Sequence, residues 1–385
     1  MLLSSEQQDF RRLVRDFADR EVLPGAAGRD ASGEDPAEIF AQLGEMGALG
    51  ITVPPQLGGL GLDTVTLVLA IEELGYADAC VGSVVAGHYL GLEGLRAFGD
   101  QAAKEKYLPP LARGQLRAAF ALTEPDAGSD IASMRSTAVR DGNRWRISGS
   151  KVFISSAREA DIMVLFAKTD PAAGLRGISA FVVPADEEHI TYSAPMDKLG
   201  CRGERAYQVT LDDAVVPADA LIGEVGEGGR IALAVLNPSR IDIAALASGV
   251  ARRALDLAVD YAATRIQFGR PIGEFQAVQL ALGHMDALAE TARLATYAAA
   301  QSRDAGEDIR RIAAIAKYVS SENCSIVVDK SMQIHGGYGY MKDAEIERIY
   351  RDCRLFRIYE GTSDMQLLTV ARSLTRRHSR PGHRT

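Results

Sequence analysis

The first third of the chain has the hydrophobic spacing of α-helices. Apolar residues recur every three or four positions behind an N-cap at Ser4 or Ser5, and again over 64–76 and 101–113. A glycine-rich turn separates the last two stretches from what precedes them. We therefore predict an all-α N-terminal domain over residues 1–118.

The pattern then changes twice. Over 119–228 the helical period fades, and short apolar runs alternate with turn residues, as in the strands of a sandwich or barrel. Helical spacing returns over 276–304 and 307–334, which predicts a helical bundle domain over 229–385 with a flexible basic tail at 373–385. Helix, sheet and helix in blocks exclude a doubly wound nucleotide fold, in which strands and helices alternate.

The composition of the chain argues against several classes of protein. Of 385 residues, 51 are acidic and 43 basic, and the net charge of −8 argues against a general nucleic-acid binder. The four cysteines form no CxxC pair and the six histidines no HxxxH spacing, so we expect no disulfide framework and no metal site. No apolar run reaches the roughly 18 residues of a membrane span, and residues 1–30 lack the apolar core of a secretory signal. We expect a soluble, cytoplasmic protein.

Three segments carry candidate chemistry, and each also has an ordinary structural explanation. Residues 121–130 suit a nest of backbone N–H groups for phosphate, or a surface turn with a helix cap. Arg265 and Phe268, with the double glycine at 336–337, suit a phosphate beside a flat ring, or a glycine-capped helix end. Glu360, which follows an apolar-aromatic stretch, suits a desolvated general base, or a helix-end glutamate paired with an arginine.

Together, the ordered motifs LTEPDAGSD, KVFIS, RIQFG, QIHGGYGY and RIYEGTSDMQ resemble those of the acyl-CoA dehydrogenase family. The resemblance runs from about residue 5 to about residue 372. It implies an N-terminal all-α domain, a central β-sandwich or barrel domain and a C-terminal four-helix bundle. It also implies a homotetrameric FAD enzyme that oxidises an acyl thioester to its trans-2-enoyl form.

The resemblance implies which residues hold FAD. Thr123 and the Gly128–Ser129 turn would hold the flavin edge and the pyrophosphate, Phe153 would lie against the isoalloxazine, and Ser155 would offer a hydroxyl near N5. Another group would contact the FAD of a neighbouring subunit, so an isolated monomer should hold FAD poorly. That group is Arg265, Phe268, Gln276, Gln333 and Gly337, and the remaining expected cofactor residues are Phe120, Leu122, Thr362 and Asp364.

Glu360 matches the catalytic base of the family. The α-proton beside a thioester carbonyl is weakly acidic, so the base must work with donors aimed at the developing enolate oxygen. The resemblance implies that these donors are the backbone N–H of Glu360 and a ribityl hydroxyl of FAD, and that the β-hydride passes to flavin N5. Arg240 matches a family arginine near the thioester, or lies at a helix N-terminus capped by Ser239. The other expected substrate-binding residues are Tyr359, Gly361 and His88.

Departures from the family pattern bear on the substrate. Glu204 and Arg205 should add a bulky ion pair at the cleft mouth, and His88-Tyr89 stands where smaller polar residues are typical. A narrowed or more polar pocket would favour a short, branched or substituted acyl chain. Alternatively, His88 caps a helix.

The resemblance leaves the carrier and the electron acceptor open. Coenzyme A is the default carrier, but relatives of this fold also oxidise acyl groups on carrier proteins or act as flavin oxidases or monooxygenases. The glutamate at 360 favours dehydrogenation, and the filled catalytic positions disfavour a non-catalytic FAD-binding relative. The expected protein partners are an electron-transferring flavoprotein and further copies of this chain, with no nucleic acid and no membrane.

Overall fold

The computed structural model describes residues 3–378, and its first part is helical. The first helix starts in a capping box, because Gln7 N donates to Ser4 Oγ at 3.1 Å and the Gln7 side chain accepts from Ser4 N at 3.0 Å. The helices predicted at 64–76 and 101–113 are confirmed. The α-helices of this part are α1 (Ser5–Phe17), α2 (Ala26–Ser32), α3 (Ala37–Glu45), α4 (Thr64–Ala77), α5 (Ala79–Phe98) and α6 (Gln101–Ala112).

Sequence periodicity missed α5. Most residues of this helix are buried. A helix that is covered on most sides has no broad polar face, so its amphipathic signal is weak.

The central part is one sheet. Its strands are β1 (Ala118–Ala121), β2 (Thr137–Asp141), β3 (Arg144–Ser155), β4 (Ile162–Lys168), β5 (Ile178–Pro184), β6 (Ile190–Tyr192), β7 (Ala206–Pro217) and β8 (Leu221–Ile222). They lie in the order β6-β7-β3-β2-β4-β5-β8, and β1 pairs with β4 in parallel. The β3–β7 ladder shifts register between Lys151 and Ile154, which is a β-bulge.

The C-terminal part is a bundle of helices, as predicted. Its elements are α7 (Gly228–Thr264), β9 (Ile266–Gln267), β10 (Arg270–Pro271), α8 (Gln276–Asp304), α9 (Arg310–His335), α10 (Glu345–Cys353) and α11 (Ser363–His378). Helix α11 takes in the start of the predicted flexible tail, and residues 379–385 lie outside the described residues.

Helix α7 is the central element of the fold. It is long and apolar enough to cross a membrane, but 78% of its most apolar 18-residue window is buried inside the protein, as in the core helix of a soluble protein. A Cβ at Gly249 would lie 2.0 Å from the carbonyl oxygen of Glu72, so α7 and α4 approach backbone to backbone. Arg252 of α7 also donates to the buried carboxylates of Glu72 and Glu73 at 2.7 Å each, which fixes the N-terminal helices onto the bundle.

Candidate active site

Glu360 occupies a strained turn that buried side chains hold in place. Its φ of 53° lies in the left-handed region, which side chains other than glycine rarely adopt, and Gly361 follows with a φ of 90°. Gln366 donates from Nε2 to the carbonyl oxygens of Glu360 and Gly361 at 3.2 and 2.8 Å. Lys317 donates from Nζ to the Gly361 carbonyl at 2.8 Å. Such strain persists only where the surroundings impose it, and it is common at active sites.

The carboxyl group of Glu360 is desolvated and has no partner at one oxygen. Part of the residue reaches solvent, but Oε2 is enclosed and makes no hydrogen bond. Burial raises the pKa of Glu360 to about 7, although the charges of Lys317 and Arg240 favour the carboxylate. Glu204 is a further acid nearby and raises the same pKa. A carboxyl with this pKa is a stronger base than an exposed glutamate and is still ionised near neutral pH.

Arg240 lies within α7, so the alternative in which it starts a helix capped by Ser239 is wrong. Its guanidinium is buried and donates to Asn237 Oδ1 at 2.9 Å, while its Nε has no partner. Burial lowers its pKa and Glu360 opposes that shift, so the two side chains lie close to each other. Arg240 is therefore positioned to balance a negative charge near Glu360.

The hydroxyl of Tyr359 also has no hydrogen-bond partner, and its ring stacks on Phe356 with centroids 6.2 Å apart. Thr362 accepts from Met365 N at 3.3 Å, so it caps α11 one turn from Glu360, and the exposed Asp364 lies in the first turn of that helix. The residues predicted from 359 to 364 thus form one continuous turn and helix start.

Two expectations about the substrate cleft are wrong. His88 lies in the middle of α5, where Nε2 contacts the Leu111 carbonyl at 3.2 Å and Nδ1 accepts from Ala118 N at 3.2 Å. Burial lowers its pKa to about 3, so it is a neutral core histidine that joins three elements, with no ring nitrogen left for a substrate. Leu111 lies in the last turn of α6, so the alternative in which His88 caps a helix agrees with this contact.

The second error concerns Glu204 and Arg205, which do not pair with each other. Glu204 is buried, accepts from Ser83 Oγ at 2.9 Å and pairs with Lys198 at 3.3 Å. Arg205 pairs instead with Glu159 at 3.6 Å and donates to the Gly33 carbonyl at 2.9 Å. Glu204 therefore acts inside the protein, where its charge reaches Glu360.

The segment 121–130 is fixed to β3 by a buried ion pair. Lys151 Nζ lies 2.8 Å from Glu124 Oε1 and donates to the Leu122 carbonyl at 3.3 Å. Leu122 is buried, and Phe120 packs on Phe166 with ring centroids 4.9 Å apart. These two predicted cofactor residues therefore direct their side chains into the core.

Other predicted residues of this region are open to a ligand. Gly128 and Ser129 are exposed, and a Cβ at Gly128 would meet nothing within 4 Å. Val152 N donates to the Thr123 carbonyl at 3.0 Å, which places Thr123 beside the β3 bulge. At that bulge Phe153 has a φ of 58° and is 67% exposed, and Ser155 ends the strand.

A second group of predicted residues surrounds a hollow at the far end of the bundle. A hollow of about 500 Å³ is lined by Arg265, Gly336, Gly337 and Tyr338, and the Arg265 guanidinium lies 5.4 Å from the Tyr338 ring centroid. An adjoining hollow of about 390 Å³ is lined by residues that include Phe268 and Gln333. Gln276 begins α8 directly after Phe275, another lining residue. The residues assigned to a neighbouring subunit's FAD are therefore gathered at one site.

The two sites are distant from each other within one chain. Lys317, beside Glu360, and Gln333, at the hollow, are 16 residues apart on α9. At a rise of 1.5 Å per residue this is about 24 Å. One chain therefore presents the two groups as separate surfaces.

Sequence reasoning missed Lys317, Gln366 and Asp242. Lys317 belongs to an alanine-rich face that includes Ala313 and Ala316, all of them fully buried, and a lone lysine at such a position was the available signal. Asp242 stands in an apolar stretch of α7 and is also buried. Gln366 ends the motif RIYEGTSDMQ, but the motif gave no indication of its role.

Family models account for most of the chain. The N-terminal, middle and C-terminal domains of acyl-CoA dehydrogenase match residues 4–115, 119–214 and 226–375.

Similar proteins match over nearly their full lengths. An acyl-CoA dehydrogenase of Bacillus subtilis (strain 168) is 41% identical over 375 residues, which are 97% of this chain and 99% of that protein. Subunit CarC of the caffeyl-CoA reductase-Etf complex of Acetobacterium woodii is 39% identical over 380 residues, 98% of this chain and 100% of that protein.

Solved structures have the same fold. Butyryl-CoA dehydrogenase from Megasphaera elsdenii matches with a TM-score of 0.96 at 36% identity, over 97% of this chain and 99% of that one. The prolyl acyl carrier protein oxidase AnaB matches with a TM-score of 0.94 at 32% identity, over 97% of this chain and 100% of that one.

Proposed function

The chain belongs to the acyl-CoA dehydrogenase family and is an oxidoreductase. We propose that it removes an α-proton and a β-hydride from an acyl thioester, with FAD as the hydride acceptor. The observation that carries this proposal is the carboxyl group of Glu360. Its Oε2 is enclosed and unpartnered, on a strained turn that Lys317 and Gln366 hold in place.

Glu360 takes the α-proton in this proposal. Burial keeps its pKa near 7, so the carboxylate is available at neutral pH and is basic enough to accept a proton from carbon. The negative charge that develops on the thioester oxygen needs a donor, and within residues 3–378 no group accepts from the backbone N–H of Glu360. One such donor contributes about 3–4 kcal/mol to transition-state stabilisation.

The residues present fit FAD. Phe153 projects from the β3 bulge, Gly128 and Ser129 leave an open turn beside it, and Arg265 borders a hollow that the backbone of Gly337 also lines. These are an aromatic face, exposed N–H and hydroxyl donors, and a guanidinium for phosphate. When bound, FAD would supply the hydride acceptor and a hydroxyl that can donate to the thioester oxygen.

We also propose that the enzyme is a homotetramer whose FAD sites are shared between subunits. Two aromatic side chains that line the hollows are exposed in one chain, Phe268 at 92% and Tyr338 at 63%. Large apolar residues gathered on a surface are typical of a subunit interface. A second subunit that brings a bound FAD to the hollow would cover them.

Coenzyme A is the proposed carrier, an electron-transferring flavoprotein the proposed partner, and the cytoplasm the proposed location. The two bacterial relatives are named for acyl-CoA and caffeyl-CoA, and the second is a subunit of a complex with Etf. The four cysteines are buried and unpaired, which suits a reducing compartment. A carrier-protein substrate is the alternative, which the similarity to AnaB supports.

An anaerobic titration of the purified FAD-loaded enzyme tests this function. Straight-chain acyl thioesters from C4 to C8 are added as CoA and as carrier-protein derivatives, and flavin absorbance is followed. We expect bleaching with at least one acyl-CoA and an enoyl-CoA product. A monooxygenase or a binding-only protein would show no bleaching, and an oxidase would bleach and then reoxidise rapidly in air.

A further inference from the structure

Helices α5 and α7 pack against each other in opposite directions. A Cβ at Gly82 of α5 would lie 2.5 Å from Leu246 of α7, while a Cβ at Gly94 would lie 3.8 Å from Val235. The two helices are therefore antiparallel. The middle of α5, near residue 88, faces the stretch of α7 between 235 and 246.

Open space lies beside the middle of α5. A Cβ at Gly87 would meet no atom within 4 Å, although the adjacent residues Ala86 and His88 are buried. Gly87 itself is half-buried. One face of an otherwise covered helix thus borders a cleft.

The face of α7 that is turned toward the middle of α5 carries two buried polar side chains without partners. Val235, Ser239, Asp242 and Leu246 are spaced by four, three and four residues, so they lie on one face of the helix. Ser239 is 3% exposed and Asp242 is 4% exposed, and neither Ser239 Oγ nor Asp242 Oδ1 makes a hydrogen bond. A buried polar atom without a partner is unfavourable, so two of them together point to a ligand that completes them.

The charged neighbours of Asp242 do not complete it. Glu93 and Arg303 influence its charge, but they bond to each other at 2.9 Å. Glu360 also influences the charge of Asp242, so the two carboxyl groups lie within range of each other's charge. Burial raises the pKa of Asp242 well above its ordinary range. A hydrogen-bonding or cationic group beside it would compensate for that burial.

We propose that Asp242, with Ser239, is a subsite for a hydrogen-bonding substituent, a hydroxyl or an ammonium group, on the acyl chain of the substrate. This inference rests on the proposed function, in which Glu360 acts at the α-carbon. The α- and β-carbons each give up one hydrogen in the reaction, and a hydroxyl or ammonium group on carbon 4 leaves both of those hydrogens in place. A site with buried polar groups strongly rejects an analogue that leaves those groups unpaired. This discrimination is much larger than that of an apolar pocket against a substrate that lacks one methylene.

The test compares isosteric substrates with the FAD-loaded enzyme and a dye acceptor. 4-Hydroxybutyryl-CoA is paired with pentanoyl-CoA, and 4-(dimethylamino)butyryl-CoA with 5-methylhexanoyl-CoA. We expect kcat/KM to favour the hydrogen-bonding member of at least one pair by about tenfold or more. The pair that shows the preference identifies the substituent as hydroxyl or ammonium.

Variants of the subsite complete the test. Asp242→Leu should abolish or reverse the preference, by lowering kcat/KM for the polar member and raising it for the apolar one, and Ser239→Ala should weaken it. Asp260→Asn, an exposed position on the same helix, should leave the ratio unchanged. Equal kcat/KM values within both pairs, or a wild-type ratio in Asp242→Leu, would overturn the subsite and leave the proposed function intact. Failure of every thioester to bleach the flavin would overturn the proposed function, and the subsite with it.

Discussion

The ammonium group of Lys317 lies 2.8 Å from the carbonyl oxygen of Gly361, which fixes a fully buried lysine one residue from the carboxyl group whose charge it favours. Gln366 holds the same carbonyl from the other side of the turn, also at 2.8 Å. Glu360 therefore owes both its left-handed backbone and part of its acidity to side chains that do not react. Lys317 is a positioning residue in this account.

The pH dependence of the reaction should report the pKa of Glu360. The base must be ionised, so kcat/KM should rise about tenfold per unit below pH 7 and level off above it. Burial is the main cause of the raised pKa of Glu360. The charges of Lys317 on α9 and Arg240 on α7 oppose this shift, and that of Glu204 reinforces it. A profile of kcat/KM from pH 5.5 to 9 with a CoA thioester that does not titrate in this range measures the inflection. An inflection near 4.5 would contradict desolvation.

Two substitutions should move that inflection in opposite directions. Lys317→Met removes a charge that favours the carboxylate, so the inflection should move to higher pH. Glu204→Gln removes a charge that disfavours it, so the inflection should move to lower pH. Lys330→Met, on the same helix as Lys317 and half-buried, is the control and should leave the profile unchanged. Shifts in the same direction, or none, would mean that these charges do not act on the base.

FAD retention should depend on subunit association. Phe268 is the most exposed large apolar side chain at the hollow and has a left-handed φ of 52°. Phe268→Asp should dissociate the oligomer and lower the FAD content per chain together, measured by light scattering and by flavin absorbance on the same column. Val139→Asp, at an exposed apolar position of the β domain, should change neither. A Phe268→Asp monomer that retains full FAD would show that one chain suffices for the site.

The buried Lys151–Glu124 pair should be important for stability. Lys151→Met leaves the Glu124 carboxylate buried without its counter-charge, which typically costs about 3–5 kcal/mol. We expect a lower melting temperature and weaker FAD binding, because Glu124 also accepts from Arg135 N at 2.6 Å and so holds the 121–130 turn. The double variant Lys151→Met with Glu124→Gln should recover part of the loss. Lys106→Met, which is exposed, should melt like the wild type.

The sequence predicted the fold better than it predicted contacts. The hydrophobic pattern revealed α4, α6, α8 and α9, and it missed α5, although α4 is buried at least as completely. Of the residues taken from the motifs, Arg265 and Gly337 line one hollow, and Phe268 and Gln333 line the hollow beside it.

The failures have a common cause. Sequence order shows which charges are neighbours along the chain, but the partner of Glu204 proved to be Lys198, and that of Arg205 proved to be Glu159. The left-handed backbone at Phe153 and Glu360 likewise depends on tertiary contacts that local sequence does not encode. The burial of Lys317 and Asp242 is likewise a tertiary property.

The assignment of Glu360 as the α-proton base is tested most directly by one substitution. Glu360→Gln keeps the size of the side chain and removes its basicity. The purified variant should retain FAD and bind the same thioesters as the wild type. In an anaerobic stopped-flow experiment with the best acyl-CoA, its rate of flavin bleaching should fall by about 10²–10⁴-fold. Bleaching at the wild-type rate would contradict the assignment.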